Sequence, residues 1–196
     1  MRERVPYGEG RDLLIAATIA VVAEKGLRGL TFRAVADVAG VNNSLVAHHF
    51  GSRDALLLTA MESAVERSID SSGLTDIASD EDFAATLLAS VTTEPELQAF
   101  QYEMILEARR NPPFREPVRR LYDRYQREVA EGLVRLGFAG DVEGAARRIF
   151  AALDGLVLQT MAGLDRPELR RAIDDVVRAA RAEAAALPRR QGEATT

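Results

Sequence analysis

Asn42, Asn43 and Ser44 stand in a row where an apolar pattern resumes after Gly40, and all three carry the chemistry of nucleic-acid contact. An Asn can bond bidentately to adenine or hold a phosphate, and a helix starting there adds the partial positive charge of its N-terminus. Asn at a helix start also serves as a plain cap, and Asn42 can fill that role. Three successive residues cannot all be one cap, which leaves Asn43 or Ser44 for a base or phosphate. His48 and His49 follow and are the only histidines. Neighbours on a helix lie ~100° apart, which is wrong for a shared metal on one face, so no metal site is expected.

Elsewhere the means for catalysis are sparse. Glu103 and Glu107 lie one helical turn apart beside Phe100 and Met104; they could line a cavity as acid or metal groups, or form a solvated face. The chain has no Cys and a single lysine, Lys25, which removes a thiol nucleophile, a thiolate metal site and a disulfide framework. It also lacks G-x-S-x-G, Walker and G-x-G-x-x-G patterns. No catalytic residue and no cofactor are expected. Two alternatives stay open: an all-α enzyme working through Glu103 and Glu107, and a protein-interaction module that keeps its N-terminal helices as scaffold.

These groups have to be positioned by helices. Thr31 is a good N-cap, Phe32, Val35, Ala36 and Ala39 recur at helical spacing, and Gly40 stops the run. After it, Asn42 or Asn43 caps a second short helix whose buried side is Leu45, Val46 and Phe50, with Val41 between the two. That arrangement is a helix-turn-helix. A first helix from Gly10 to Lys25, ended by Gly26, would cover it with Leu13, Leu14, Ala17, Ala20, Val21 and Ala23. Ser52 caps a long connecting helix that runs to the Ser71-Ser72-Gly73 break.

Beyond that break the pattern is helical throughout, near 81–92, 94–110, 114–137, 141–164 and 166–187, with no sustained period-2 alternation. The fold class is therefore all-α. The expected division is a DNA-binding unit at 1–52, a connecting helix at 53–72, a helical domain at 73–190 and a loose tail at 191–196. With 196 residues and 47% hydrophobic content the chain suits one substantial core or two small domains. Its net charge of −5 argues against a nucleic-acid partner, but the charge is unevenly placed. Residues 1–56 hold seven basic and six acidic groups, so the reading end is mildly positive and the remainder acidic. The N-terminus MRERVPYGEG lacks an apolar core, and no run approaches the ~18 apolar residues of a membrane span. A cytoplasmic protein without a membrane partner is expected.

The stretch TFRAVADVAGVNNSLVAHHFGSRDAL, residues 31–56, resembles the DNA-binding domain of TetR/AcrR-type transcriptional regulators, closely over the first quarter of the chain. The resemblance implies a three-helix DNA-binding domain followed by a helical ligand-binding and dimerisation domain. It implies that the helix beginning near Asn42 enters the major groove, and that Arg53 holds a phosphate. The DNA-binding set is then Thr31, Arg33, Asn42, Asn43, Ser44, Ala47, His48 and Arg53. Where the family usually has a Tyr whose hydroxyl reaches a phosphate, this chain has Ala47, which leaves His48 or His49 to replace that anchor.

By the same resemblance, Phe100, Glu103, Met104, Glu107, Val118, Tyr122 and Tyr125 are implied to surround a small-molecule effector of unknown identity, with Gln126 a further polar candidate. Ile149, Leu153, Leu156, Val157, Ile173, Val176 and Val177 lie on two helices apolar on more than one side, and the resemblance makes them a four-helix dimer interface. The partners implied are a double-stranded DNA operator, a second copy of the chain and the effector. The function implied is that of a repressor released from a palindromic operator by its ligand.

Overall fold

The computed structural model describes residues 7–70, 77–138, 140–163 and 165–186. Among them the chain is all-α: α1 (Tyr7–Gly29), α2 (Phe32–Ala39), α3 (Asn43–Phe50), α4 (Arg53–Asp70), α5 (Asp80–Thr92), α6 (Pro95–Ala108), α7 (Arg115–Arg135), α8 (Val142–Met161) and α9 (Arg166–Ala186). The break at 71–73 and the tail at 191–196 lie outside the described residues. No described helix is long and apolar enough to cross a membrane.

Packing gathers the helices into two compact units. One compact unit joins α1–α4 to α6 and to α7 as far as Leu121; the other joins α5 to the rest of α7, α8 and α9. The segment from Glu94 to Leu121 falls in the first unit because α6 packs along α1. Leu14, Val21 and Val22 of α1, Leu56, Leu57, Ala60, Met61 and Ala64 of α4, and Phe100 and Met104 of α6 are fully enclosed, each worth roughly 1.5–3 kcal/mol of burial for the larger side chains. The polar groups taken inside are satisfied: Thr18 donates to the Leu14 carbonyl at 2.7 Å, and Gln101 Nε2 donates to Ser68 Oγ at 2.7 Å, fastening α6 to α4.

α1 passes through Gly26 at φ 65°, ψ 175°. The expected stop is a break after which the chain makes one further turn to Gly29. Such a break leaves the Leu27 N–H without a helical acceptor, while its carbonyl still accepts from the Leu30 N–H at 3.3 Å, and two distant side chains reach this residue. The Leu27 N–H donates to Glu103 Oε2 at 3.3 Å, and its carbonyl accepts from Arg53 Nη2 at 2.6 Å. α6 and the start of α4 thus hold the end of α1 by one peptide on each side.

In the second unit, α5, α8 and α9 open on side-chain caps. Ser79 Oγ accepts from the Asp82 N–H at 3.1 Å, Asp141 Oδ1 from Gly144 at 2.9 Å and Asp165 Oδ1 from Glu168 at 2.9 Å. Long-range contacts do the rest. Arg181 of α9 donates from Nε to both Asp80 oxygens, at 2.9 and 2.7 Å, and from Nη2 to the Leu136 carbonyl at 2.9 Å. Its guanidinium also lies 4.0 Å from the centre of the Phe138 ring. At Gly132 a Cβ would stand 3.1 Å from Phe83 and 3.2 Å from Ile77, so a larger residue there would have to push these two side chains aside by a few tenths of an ångström.

Candidate nucleic-acid interface

The geometry of the reading head follows from four short-range devices. Thr31 is extended, at φ −132° and ψ 154°, and its Oγ1 accepts from the Ala34 N–H at 3.0 Å. α2 ends on Gly40 in the left-handed region, φ 69°. There the Val41 N–H reaches the Ala36 carbonyl at 3.0 Å and the Gly40 N–H that of Asp37 at 3.4 Å, the paired bonds of a Schellman turn. Asn42, again extended, accepts from the Ser44 N–H at 3.0 Å and from the Ser44 hydroxyl at 3.0 Å. Ser52 Oγ accepts from the Ala55 N–H at 3.1 Å and starts α4.

On α3, Val46 and Phe50 are buried, with Leu45 and His49 half-buried beside them, while Asn43, Ser44, Ala47 and His48 are exposed. At 100° per residue these exposed positions span one continuous arc opposite the buried one. Of the three polar residues that open the helix, two are spent on each other: Asn42 is the cap and Ser44 turns its hydroxyl toward it. Asn43 is left with no cap to serve. His48 shares its face, and His49 sits against Phe50, with ring centres 6.1 Å apart. Arg33 is 88% exposed on α2 and only loosely associated with Asp37 at 3.9 Å.

Several of the expected site residues also make contacts within the chain. Arg53 directs one nitrogen to the Leu27 carbonyl, so it braces α1 as well as standing exposed at the start of α4. Glu103 reaches back to the end of α1. It accepts the Leu27 N–H because the Gly26 break leaves that donor without a helical acceptor. Glu107 pairs with Arg110 at 3.2 Å on the surface of α6, so the two carboxylates form no acid–base pair. Phe100, Met104 and Val118 lie in the core of the first unit and Tyr122 and Tyr125 belong to the second.

In the second unit Tyr122 and Tyr125 surround Phe150, with ring centres 5.4 and 5.5 Å apart. The Tyr122 hydroxyl donates to Asp154 Oδ2 at 3.4 Å. Burial, then the Asp154 charge and this bond, push the Tyr122 phenol up to about 12. Gln126 faces elsewhere, lining an open, mostly charged groove of about 930 Å³ with Arg127, Glu131, Val142 and Arg147. Ile149, Leu153, Leu156, Val157, Ile173 and Val177 are at most 8% exposed within their own chain, because α8 and α9 pack on each other and on α5. Of the seven expected interface residues only Val176 is half-buried; the exposed apolar groups of α8 are Leu158 and Met161.

Sequence reasoning passed over Gln101, Asp154 and Glu128, and read Phe150 only as part of the apolar surface of the last two helices. Phe150 and Asp154 sit one turn apart on α8, a spacing that could have paired them. Glu128 lies three residues after Tyr125, at the margin of the apolar stripe of α7.

Residues 14–60 match the family described as "Bacterial regulatory proteins, tetR family", and residues 78–183 match "Tetracyclin repressor-like, C-terminal domain". The chain is 28% identical over 190 residues to the HTH-type transcriptional regulator CymR of Pseudomonas putida, covering 91% of this chain and 92% of that one. It is 30% identical over 159 residues to the HTH-type transcriptional regulator BetI of Rhizobium meliloti, covering 76% of each. Among solved structures, a transcriptional regulator from Rhodococcus sp. Rha1 superposes with a TM-score of 0.76 at 24% identity, covering 91% of this chain and 99% of that one. A regulator from Saccharomonospora viridis, solved in complex with choline, gives 0.76 at 21% identity, covering 87% and 96%.

Proposed function

Because this chain belongs to the TetR family of transcriptional regulators, which are not enzymes, we propose that it represses transcription by binding a palindromic operator as a homodimer and leaves it when a small molecule binds the larger helical part. The observation that carries the reading is the face of α3: Asn43, Ala47 and His48 exposed together on a helix whose other side is locked into the core. Asn43 reads a base edge, His48 and the N-terminus of α3 meet phosphates, and Thr31, Arg33 and Arg53 flank them. Ala47 contributes only shape, and His48 is the nearest donor on that face.

In a dimer two such faces must enter successive major grooves, about 34–36 Å apart on B-DNA. Since the apolar residues of α8 and α9 are mostly consumed within the chain, the partner copy rests on Leu158, Met161 and Val176. The effector acts by favouring a spacing of the two reading heads that cannot fit both grooves. α4 is the lever, and the Glu103–Leu27–Arg53 clamp ties its first turn to α6.

A mobility shift on the DNA upstream of its own gene tests the whole. A complex of dimer mass whose affinity falls steeply with salt is expected. Absence of any shift, with the protein folded, would leave the helix-turn-helix as scaffold for a protein partner. Arg53→Ala should weaken binding alike on every operator sequence and lower the salt slope by about one; an unchanged slope would make Leu27 its whole role.

A further inference from the structure

Glu128 on α7 presents a buried oxygen that the fold does not use. Its Oε1 accepts from Arg124 Nε at 3.2 Å along the same helix. Its Oε2 is enclosed and has no partner, the one such side-chain atom found among the described residues. The pair is lopsided, with the Glu128 side chain 12% exposed and that of Arg124 42% exposed, so the acid is further from water than its cation.

Gly132, one turn further along α7 on the same helix face, is where a Cβ would stand 3.1 Å from Phe83 and 3.2 Å from Ile77, so this face of α7 meets apolar side chains at and just before the start of α5. Neither carries a side-chain donor. A carboxylate oxygen enclosed without a donor costs free energy, which a ligand carrying the missing donor would recover.

We propose that Glu128 is the polar anchor for the effector and that the effector is a protonated amine, an N–H donor bearing positive charge; the proposal rests on the effector reading above. A charged donor makes the shorter and stronger bond to a carboxylate than a neutral one does. An anion would meet repulsion, and a quaternary ammonium brings charge without a donor.

Four matched probes separate these features on the full chain at neutral pH: benzylammonium, benzyl alcohol, benzyltrimethylammonium and benzoate, each titrated while the melting temperature is followed. Benzylammonium should stabilise the parent saturably and bind at least tenfold tighter than the other three, and Glu128→Gln should lose at least tenfold of that affinity. Glu128→Leu, free of ligand, should melt at or above the parent, because the unpartnered oxygen is gone. Equal binding of benzyl alcohol or benzoate, no response of the parent to benzylammonium, or undiminished binding by Glu128→Gln would overturn the proposal. So would a clear fall in the melting temperature of Glu128→Leu, which would make Glu128 a strut for Arg124. The effector reading itself would survive any of these if a neutral or anionic compound released the protein from its DNA.

Discussion

α2 and α3 are eight residues each, and almost every group that closes their ends comes from within five residues: Thr31, Gly40 with Val41, and Asn42. In the unit built from α5, α8, α9 and most of α7, the decisive closures come from far along the chain. Arg181 and Asp80 are 101 residues apart, and Arg181 and Leu136 are 45 apart. The reading head is thus a local construction that holds its shape turn by turn, whereas the larger unit holds only when distant helices have met. Damage should follow the same division. A lost long-range tie lowers the stability of the unit it closes, and a lost local device distorts one helix end and is felt at the DNA.

The heaviest expected loss is Arg181→Met. It keeps most of the aliphatic stem and removes the fork that serves Asp80 and the Leu136 carbonyl, leaving a carboxylate and a carbonyl short of donors. We expect about 2–3 kcal/mol, or roughly 5–10 °C in melting temperature. Operator affinity measured well below that temperature should stay within a few-fold of the parent. A variant that melts like the parent would show the second unit to be held by apolar packing alone, and the contrast with the reading head would collapse.

At the reading head, Asn43→Ala should leave the melting temperature unchanged and relax preference at one position in each half-site by about 1–3 kcal/mol. Gly40→Val should cost about 1–2 kcal/mol, because a branched side chain is forced to φ near +69°, where no neighbouring atom contributes to the penalty. Gly40→Asn, which tolerates that conformation, should recover most of the loss. Asn42→Ala should cost about 1 kcal/mol and weaken all sequences alike. If Asn42→Ala changed base preference and Asn43→Ala did not, the cap and the reader would have to be exchanged.

The same division governs what the chain discloses before it folds. Thr31, Gly40, Asn42 and Ser52 could be assigned because each acts on a peptide group within a few residues, so type and spacing suffice. The buried side of α3, Leu45, Val46 and Phe50, was legible for the same reason, and the family resemblance supplied the residues of its other face. The contact of Glu103 with Leu27 was not legible because it is created by the Gly26 break 77 residues earlier, and no local pattern connects the two. The apolar residues of α8 and α9 show two faces in the sequence, but whether a face meets its own chain or a second copy depends on how α5 and α9 pack, which spacing does not encode. Glu128 escaped because a carboxylate beside an apolar stripe reads as its solvated margin until burial is known.

The smallest effect, and the one most particular to the larger unit, belongs to Tyr122. In the unfolded chain its phenol titrates near 10, and in the folded protein burial and Asp154 push it up to about 12. Below pH 10 both states hold the proton, and the contribution of the group to stability is complete. As pH rises from 10 toward 12 the unfolded chain releases the proton first and so binds fewer protons than the folded one, which makes the slope of unfolding free energy against pH negative. Stability is therefore lost with rising pH across that window. Tyr122→Phe keeps the ring against Phe150 and removes the ionisation, so it should melt close to the parent at pH 7 and fall less steeply between pH 10 and 12. α2 and α3 contain no tyrosine, so at pH 7 DNA affinity should not distinguish the two proteins. Parallel pH slopes for parent and variant would mean that the Tyr122 hydroxyl is neither buried nor held by Asp154 in the folded protein, and the aromatic cluster of α7 and α8 would then lose its polar tie.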